Sequence, residues 1–169
     1  DETRVGLDYP NLPRDVHRGD TLLLDDGAIV LRVQDVKGPR IITRVIEGGE
    51  LSNNKGINRK GGGLSAPALT EKDKEDIKLA AHLKADFLGV SFPRSGEYMQ
   101  YARDLLRKAK GNALLVAKIE RAEAIQSLEE IIQASDAIMV ARGDLAVEVG
   151  DAAVPALQKR MIRMSREHN

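Results

Sequence analysis

The sequence has no cysteine and no tryptophan, and aromatic residues make up only 3% of its 169 positions. Without cysteine the chain can form neither disulfides nor thiolate metal sites, and this composition fits a protein of the reducing cytoplasm. With so few aromatic rings, recognition of nucleic acid by stacking on bases is an improbable mode of action. The groups that remain for chemistry are mainly carboxylates, lysines, arginines and the backbone.

An excess of either charge is also missing, because 26 basic residues balance 26 acidic residues. A balanced chain argues against bulk electrostatic binding of nucleic acid or of an anionic membrane. No apolar run approaches the length of a membrane-spanning helix, and the acidic start DETRVGLD does not resemble a signal peptide. We therefore expect neither nucleic acid nor membrane as a partner, and we expect a cytoplasmic protein.

The first part of the chain, residues 1–65, has the pattern of a small β-rich domain. Its apolar runs TLLLDDGAIVLRV and GPRIITRVIEGGE are short and are separated by turn residues. Asp26-Gly27 lies between two such runs, and this dipeptide favours a β-hairpin.

The second part, residues 66–169, alternates between helical and strand patterns. Thr70 followed by Asp73 predicts the capped start of a helix. The expected strands are ADFLGVSF, NALLVAKIE and DAIMVARGD, and the expected helices between and after them are GEYMQYARDLLRKAK, AEAIQSLEEIIQAS and AAVPALQKRMIRMSREHN. Apolar strands joined by amphipathic helices predict a parallel sheet covered by helices. Three such units fit either an open doubly wound sheet or part of a (β/α)₈ barrel, and both place chemistry at the carboxyl ends of the strands.

Polar residues follow all three predicted strands, in SFPR (91–94), KIE (118–120) and RGD (142–144). Lys118 and Glu120 are two apart and so share one face of a strand, and Arg142 and Asp144 are predicted to have the same relation in the neighbouring strand. Two carboxylates at adjacent strand ends can share a Mg²⁺ ion, and a nearby lysine can act on an oxyanion or a phosphoryl group. The alternative is a structural Lys–Glu ion pair.

Two further stretches each leave two interpretations open. ARGDLAVEVG (141–150) can form a short helix whose first N–H groups bind a carboxylate or phosphate, or an ordinary turn in which Asp144 is the N-cap. Lys55, in LSNNKGIN (51–58), could contact nucleotide phosphates, or it could be a solvated loop lysine. Asp25 and Asp26 could form nothing more than a hairpin turn.

Several of these segments together resemble the pyruvate kinase family, and most of all its bacterial second-isoform type. The matching segments occur in the family's order, as SNNKGIN, LTEKDKEDI, VSFPR, VAKIERAEAI and ASDAIMVARGDLAVEVG. The resemblance implies a (β/α)₈ barrel with a small β domain inserted after its third strand, and a regulatory domain at the carboxyl end. It also implies phosphoryl transfer from phosphoenolpyruvate to ADP in glycolysis, with Mg²⁺ or Mn²⁺ and commonly K⁺.

The resemblance implies roles for residues of the predicted barrel. Lys118 corresponds to the catalytic lysine that stabilises the moving phosphoryl group and the enolate. Glu120 and Asp144 correspond to the two acids that hold the divalent cation. Gly143, with the N–H of Asp144, corresponds to the contacts with the substrate carboxylate.

Four further residues match the family with roles in substrate or nucleotide binding. Ser91 and Arg94 lie on a matching strand end and are expected to bind substrate. Lys55 corresponds to a lysine of the inserted lid domain that reaches the nucleotide phosphates, and Asp26 to an acid of that domain that approaches the site on closure.

The sequence departs from the family pattern in two places and lacks large parts of it. Ala146 replaces the usual glycine of RGDLG, and RKGGG (59–63) replaces the usual LPG after the lid. Nothing resembles the first three barrel strands, where the K⁺ site lies, nor the last two strands, nor the regulatory domain. We therefore expect an internal fragment, most of the lid followed by barrel strands four to six, that is inactive alone and able to self-associate, from a homotetrameric parent.

Two rival functions stay open on the sequence. A metal-dependent aldolase or lyase barrel acting on phosphoenolpyruvate or pyruvate could use the same acidic pair, but would not need the lid or Lys55. A non-catalytic module could bind a phosphorylated ligand without turnover.

Overall fold

The computed structural model describes residues 4–65 and 69–168. The chain divides into two compact units, Asp1–Ala66 and Pro67–Asn169, and each has its own hydrophobic core. No helix in the described ranges is long and apolar enough to cross a membrane.

The first unit is built on a four-stranded antiparallel sheet with the order β3-β2-β1-β4. A short helix, α1 (Leu12–Asp15), precedes the strands, which are β1 (Thr21–Leu24), β2 (Ile29–Lys37), β3 (Arg40–Glu47) and β4 (Ile57–Arg59). The core packs Leu12 of the helix against Leu22, Leu24 and Val33 of the sheet. The β-rich character predicted for this part of the chain is confirmed.

The predicted hairpin joins β1 to β2 through residues 25–28. Asp25, Asp26 and Gly27 have positive φ values of 51°, 55° and 90°. Aspartate and glycine tolerate this left-handed region better than most residues, so the DDG sequence suits the turn. Within the turn, the Gly27 N–H donates to the Leu24 carbonyl at 3.1 Å and the Ala28 N–H to the Asp25 carbonyl at 3.0 Å.

The second unit contains a three-stranded parallel sheet with the order β5-β6-β7. Its strands are β5 (Phe87–Val90), β6 (Leu114–Ile119) and β7 (Ala137–Val140). Its helices are α2 (Glu71–His82), α3 (Gly96–Lys108), α4 (Ala122–Gln126), α5 (Leu128–Gln133), α6 (Arg142–Val149) and α7 (Val154–Glu167), with a 3₁₀ turn at Asp151–Ala153. The predicted parallel β/α arrangement is confirmed, while among the described residues the three strands form an open sheet and no closed barrel.

Helix α2 begins as the sequence predicted. The Thr70 hydroxyl accepts the Asp73 N–H at 3.2 Å, and the Asp73 carboxylate accepts the Thr70 N–H at 2.7 Å. This reciprocal pair is a capping box, which satisfies two backbone donors that the helix start would leave unpaired.

Two predicted elements differ from the structure. The single helix expected over 122–135 is interrupted at Ser127, which separates α4 from α5 and has φ −102° and ψ 20°. The strand expected to include RGD ends at Val140, so Arg142 and Asp144 lie in helix α6. The helix buries Leu145 completely in the core, and this packing outweighs continuation of the strand.

The two faces of the parallel sheet have different environments. On one face Leu115, Ala117 and Ile119 are fully buried beneath the helices. The alternate residues of the strands lie on the opposite face, where the three large apolar side chains Phe87, Leu114 and Met139 are 63%, 47% and 49% exposed. This apolar open face is of the kind that a closed barrel would turn inward.

We predict that the isolated 169-residue chain self-associates through this open face and the adjoining strand edges. Among the described residues, β5 and β7 each pair with only one strand, and such edges template further pairing. Light scattering during gel filtration should give a molecular mass that increases as the protein concentration is raised through roughly the micromolar-to-millimolar range.

The double variant Phe87→Ser/Met139→Ser should lower that mass towards the monomer value. The matched control is Leu79→Ser/Leu83→Ser, because these leucines are also exposed but lie on or beside helix α2, outside the sheet. A wild-type chain that stays monomeric over the whole range would contradict the prediction.

Candidate active site

The polar residues that follow the three parallel strands lie at the carboxyl edge of their sheet. Strands β5, β6 and β7 end at Val90, Ile119 and Val140. The register pairs Ile119 with Val140, and the Ala141 N–H donates to the Ile119 carbonyl at 3.2 Å. The segments that follow β6 and β7 therefore start side by side, at the edge where α/β sheets place their chemistry.

Lys118 projects from β6 on the open face of the sheet. Its stem passes Gly89 of β5, with Cδ 3.7 Å from where a β-carbon on that glycine would lie. Its ammonium nitrogen lies 2.5 Å from Glu120 Oε1 and donates to Ser91 Oγ at 3.0 Å. The side chain is 30% exposed, so the ammonium is held in place and still accessible from solvent.

Glu120 directly follows β6, and its carboxylate is almost entirely withdrawn from water, at 2% exposure. One carboxylate oxygen contacts Lys118, and the other accepts the Phe92 N–H at 2.9 Å. A buried carboxylate needs such partners, because an isolated charge is costly to desolvate. Each carboxylate oxygen has a second lone pair, so Glu120 retains the capacity to ligate a cation.

Phe92 is a site residue that the sequence did not reveal. Its φ is 55°, in the left-handed region that a residue with a large side chain rarely adopts. Such a conformation costs about 1–3 kcal/mol and persists only where its surroundings fix it. Here it turns the backbone after β5 so that the Phe92 N–H meets Glu120. SFPR contains no glycine or asparagine that would have indicated a left-handed position.

Ser91 and Arg94 flank this turn. Ser91 directly follows β5 and contacts Lys118 through its hydroxyl. Arg94 is partly buried, three residues further along.

Asp144 and Gly143 lie in the first turn of α6. The N-cap is Ala141, which offers no side-chain cap, and the Leu145 N–H makes the hydrogen bond to its carbonyl at 3.0 Å. The structure thus forms the short helix and does not place Asp144 at the N-cap. Asp144 is exposed, and no described atom outside the chain neighbours of Gly143 and the backbone of the helix itself lies within 4 Å of where a Gly143 β-carbon would be. An uncapped helix start with open space beside Gly143 suits the approach of an anion.

A second buried ion pair, Arg121 with Glu148, was also missed from the sequence. Arg121 Nε lies 3.5 Å from Glu148 Oε1, and the Ala122 N–H donates to Glu148 Oε2 at 2.8 Å. The Arg121 guanidinium also lies 5.8 Å from the centre of the Phe92 ring. The sequence signal that could have indicated the pair is the spacing of three between the apolar Leu145 and Glu148, which places both on one face of a helix.

In the first unit, Lys55 is paired rather than freely solvated. Its ammonium lies 2.8 Å from Asp25 Oδ1, and the Asp25 N–H donates to the Gly56 carbonyl at 3.1 Å. The hydrogen bond to Asp25, and then the charges of Asp25 and Asp26, raise the pKa of Lys55 above its usual value. Lys55 therefore lies against the β1–β2 turn, where Asp26 is exposed to solvent.

The donor chemistry at the sheet edge fits a small divalent cation. The described residues contain no group of three or more His, Cys, Asp or Glu side chains suited to a metal. Mg²⁺, however, is usually bound through one or two carboxylates, with substrate oxygens and water as its other ligands. Glu120 and Asp144 follow adjacent strands and supply two such groups.

Comparison with known proteins gives the family. The family model for the barrel domain of pyruvate kinase matches residues 1–169. Pyruvate kinase II of Salmonella typhimurium is 56% identical over 172 aligned residues, which cover 100% of this chain and 36% of that protein. The pyruvate kinases of Haemophilus influenzae and Mycobacterium intracellulare are 57% and 44% identical, and each alignment covers 98% of this chain and 35% of the relative. The chain spans about a third of the length of these curated relatives. It belongs to the pyruvate kinase family.

Proposed function

We propose that this chain carries the metal-binding and phosphoryl-contacting part of an enzyme that transfers a phosphoryl group from phosphoenolpyruvate to ADP, giving pyruvate and ATP. The observation that carries the proposal is the contact of Lys118 with the buried carboxylate of Glu120 at the carboxyl end of β6, beside the uncapped start of α6. Family membership supports the same reaction, since the three relatives compared above are named as pyruvate kinases.

In this proposal Glu120 and Asp144 hold the divalent cation, Mg²⁺ or Mn²⁺. When bound, the cation would supply positive charge to the substrate oxygens at the point where negative charge builds up. Glu120 is suited to this role because the Phe92 N–H orients its carboxylate, and Asp144 because it is exposed at the adjoining helix start.

Lys118 acts on the transferring phosphoryl group and on the enolate that the transfer leaves. An ammonium has three N–H donors, and contacts with Glu120 and Ser91 account for two of them. The third donor remains for a phosphoryl or enolate oxygen. Because its partners hold the ammonium in advance, little reorganisation is needed as charge develops.

The substrate carboxylate binds at the start of α6, through Gly143 and the N–H of Asp144. The lack of a side-chain cap and the open space around Gly143 support this placement. Ser91 and Arg94, at the end of β5, complete the substrate contacts.

Lys55 and Asp26 serve the nucleotide, as parts of a lid domain formed by residues 1–65, with residues 66–169 as part of the barrel. In the structure Asp25 holds the Lys55 ammonium. Nucleotide phosphates would replace that carboxylate as the partner of Lys55.

We further propose that the 169 residues alone do not catalyse the reaction, and that the complete enzyme is a homotetramer. Phosphoryl transfer depends mainly on positioning and electrostatic stabilisation, and an open three-stranded sheet supplies only part of a closed phosphate cradle. The K⁺ site is expected outside this chain. ADP-dependent release of pyruvate from phosphoenolpyruvate by the complete protein would exclude both an aldolase or lyase and a non-catalytic binding module.

We predict that Lys118→Met, in a complete pyruvate kinase carrying this sequence, lowers kcat by about 10²–10³-fold, because a preorganised charge on the transition state is lost. Divalent-cation binding should change far less. Steady-state kinetics coupled to lactate dehydrogenase measure the effect.

The matched control for Lys118 is Lys78→Met, which removes a lysine that pairs with Glu75 at 2.8 Å on the surface of α2. This variant should behave as wild type. A Lys118→Met enzyme within roughly threefold of wild-type turnover would reject the proposed role.

We predict that Lys55→Ala in the complete enzyme raises the KM for ADP, or lowers kcat if lid closure is required for chemistry. Binding of phosphoenolpyruvate without nucleotide should be unchanged. The control is Lys37→Ala, since Lys37 is an exposed lysine of the same unit, 3.4 Å from Asp35. Selective loss of phosphoenolpyruvate affinity in Lys55→Ala would show that the lysine serves the other substrate.

A further inference from the structure

The buried pair of Arg121 and Glu148 lies next to the proposed metal site without belonging to it. The two side chains are only 7% and 0% exposed. Burying opposite charges contributes little net stability, since apolar residues of similar size often do as well or better, while removal of one partner is costly. A stability role alone therefore explains this pair poorly, and its contacts indicate another purpose.

Glu148 connects helix α6 to the segment that follows Glu120. Arg121 and Ala122 are the two residues that follow Glu120. The Glu148 carboxylate accepts the Ala122 N–H at 2.8 Å and pairs with Arg121. Asp144 is four residues before Glu148 in the same helix, about one turn away. Because a helix moves as a rigid element, the contacts of Glu148 fix Asp144 relative to Glu120.

Arg121 connects the same segment to the end of β5. Its guanidinium lies over the ring of Phe92 at 5.8 Å from the ring centre, a cation–π distance. Phe92 is the residue whose N–H donates to Glu120, and its left-handed backbone needs support from its surroundings. The guanidinium thus supports the group that orients the Glu120 carboxylate.

We infer that Arg121 and Glu148 form a positioning pair that sets the spacing between the carboxylates of Glu120 and Asp144, so that divalent-cation affinity depends on a pair that does not itself bind the cation. This inference rests on the proposed metal site. Outer groups that orient metal ligands typically account for about 10–100-fold in metal affinity.

The test is a Mn²⁺ titration followed by electron paramagnetic resonance, on a complete pyruvate kinase carrying this sequence. Glu148→Gln keeps the size of the side chain and an acceptor for the Ala122 N–H, but removes the nearer of the two carboxylates that face Arg121, the other being that of Glu123 at 3.7 Å. The expected result is Mn²⁺ binding weakened by about 10–100-fold. Arg121→Lys, which keeps the charge but loses the planar group over Phe92, should weaken binding in the same direction and serves if Glu148→Gln does not fold.

The chain offers a control with the same kinds of contact in Asp136→Asn, although the Asp136 side chain is 29% exposed and that of Glu148 is fully buried. Asp136 also accepts a backbone N–H, that of Leu115 at 2.7 Å, and also pairs with an arginine, Arg103 at 3.0 Å. It precedes β7 and so lies at the opposite, amino edge of the sheet. Asp136→Asn should lower the melting temperature and leave Mn²⁺ affinity unchanged.

Glu120→Gln separates failure of this inference from failure of the proposed function. If Glu120→Gln binds Mn²⁺ as wild type does, the metal site itself is wrong. If Glu120→Gln loses binding while the folded Glu148→Gln and Arg121→Lys variants stay within about twofold of wild type, the positioning role alone is wrong. Equal losses in Asp136→Asn and Glu148→Gln would show a general effect of stability and would also overturn the inference.

Discussion

The arrangement at the sheet edge depends on one interaction, the satisfaction of the buried Glu120 carboxylate by Lys118 and the Phe92 N–H. Because an unpaired buried charge is costly, both partners must be in place when the carboxylate is buried. The Phe92 contact requires a left-handed backbone after β5, and the ring of that residue lies beneath the Arg121 guanidinium. Arg121 in turn pairs with Glu148, which holds α6 and its exposed Asp144.

The same strand explains why a lysine and a glutamate stand at the end of an apolar segment. In β6, Leu115, Ala117 and Ile119 alternate towards the helices and are fully buried, while Lys118 lies on the open face. The open face also carries Phe87, Leu114 and Met139, so the Lys118 side chain lies on a largely apolar surface. If a barrel closes over that surface in the complete enzyme, as we propose, the charge of Lys118 would act in a medium of lower dielectric constant and with greater effect.

Local patterns predicted much of this organisation. The apolar runs and their polar ends placed Lys118 and Glu120, the Thr70–Asp73 spacing predicted the start of α2, and Asp26-Gly27 predicted the hairpin. Contacts between residues distant in sequence could not be predicted in the same way. The pairing of Arg121 with Glu148 depends on how α6 packs, and the left-handed Phe92 depends on Glu120, 28 residues later. The strand predicted to continue through RGD ends instead at Val140, because the burial of Leu145 favours a helix from Arg142.

The central claim is that Glu120 and Asp144 hold one divalent cation together, and a double-mutant cycle tests it most directly. Mn²⁺ affinity would be measured by electron paramagnetic resonance for Glu120→Gln, Asp144→Asn and the double variant of a complete pyruvate kinase carrying this sequence. Each single change should weaken Mn²⁺ binding. The loss of binding free energy in the double variant should be smaller than the sum of the two single losses, by a coupling energy of about 0.5–3 kcal/mol. Unchanged binding in both single variants, or strictly additive losses, would contradict the shared site.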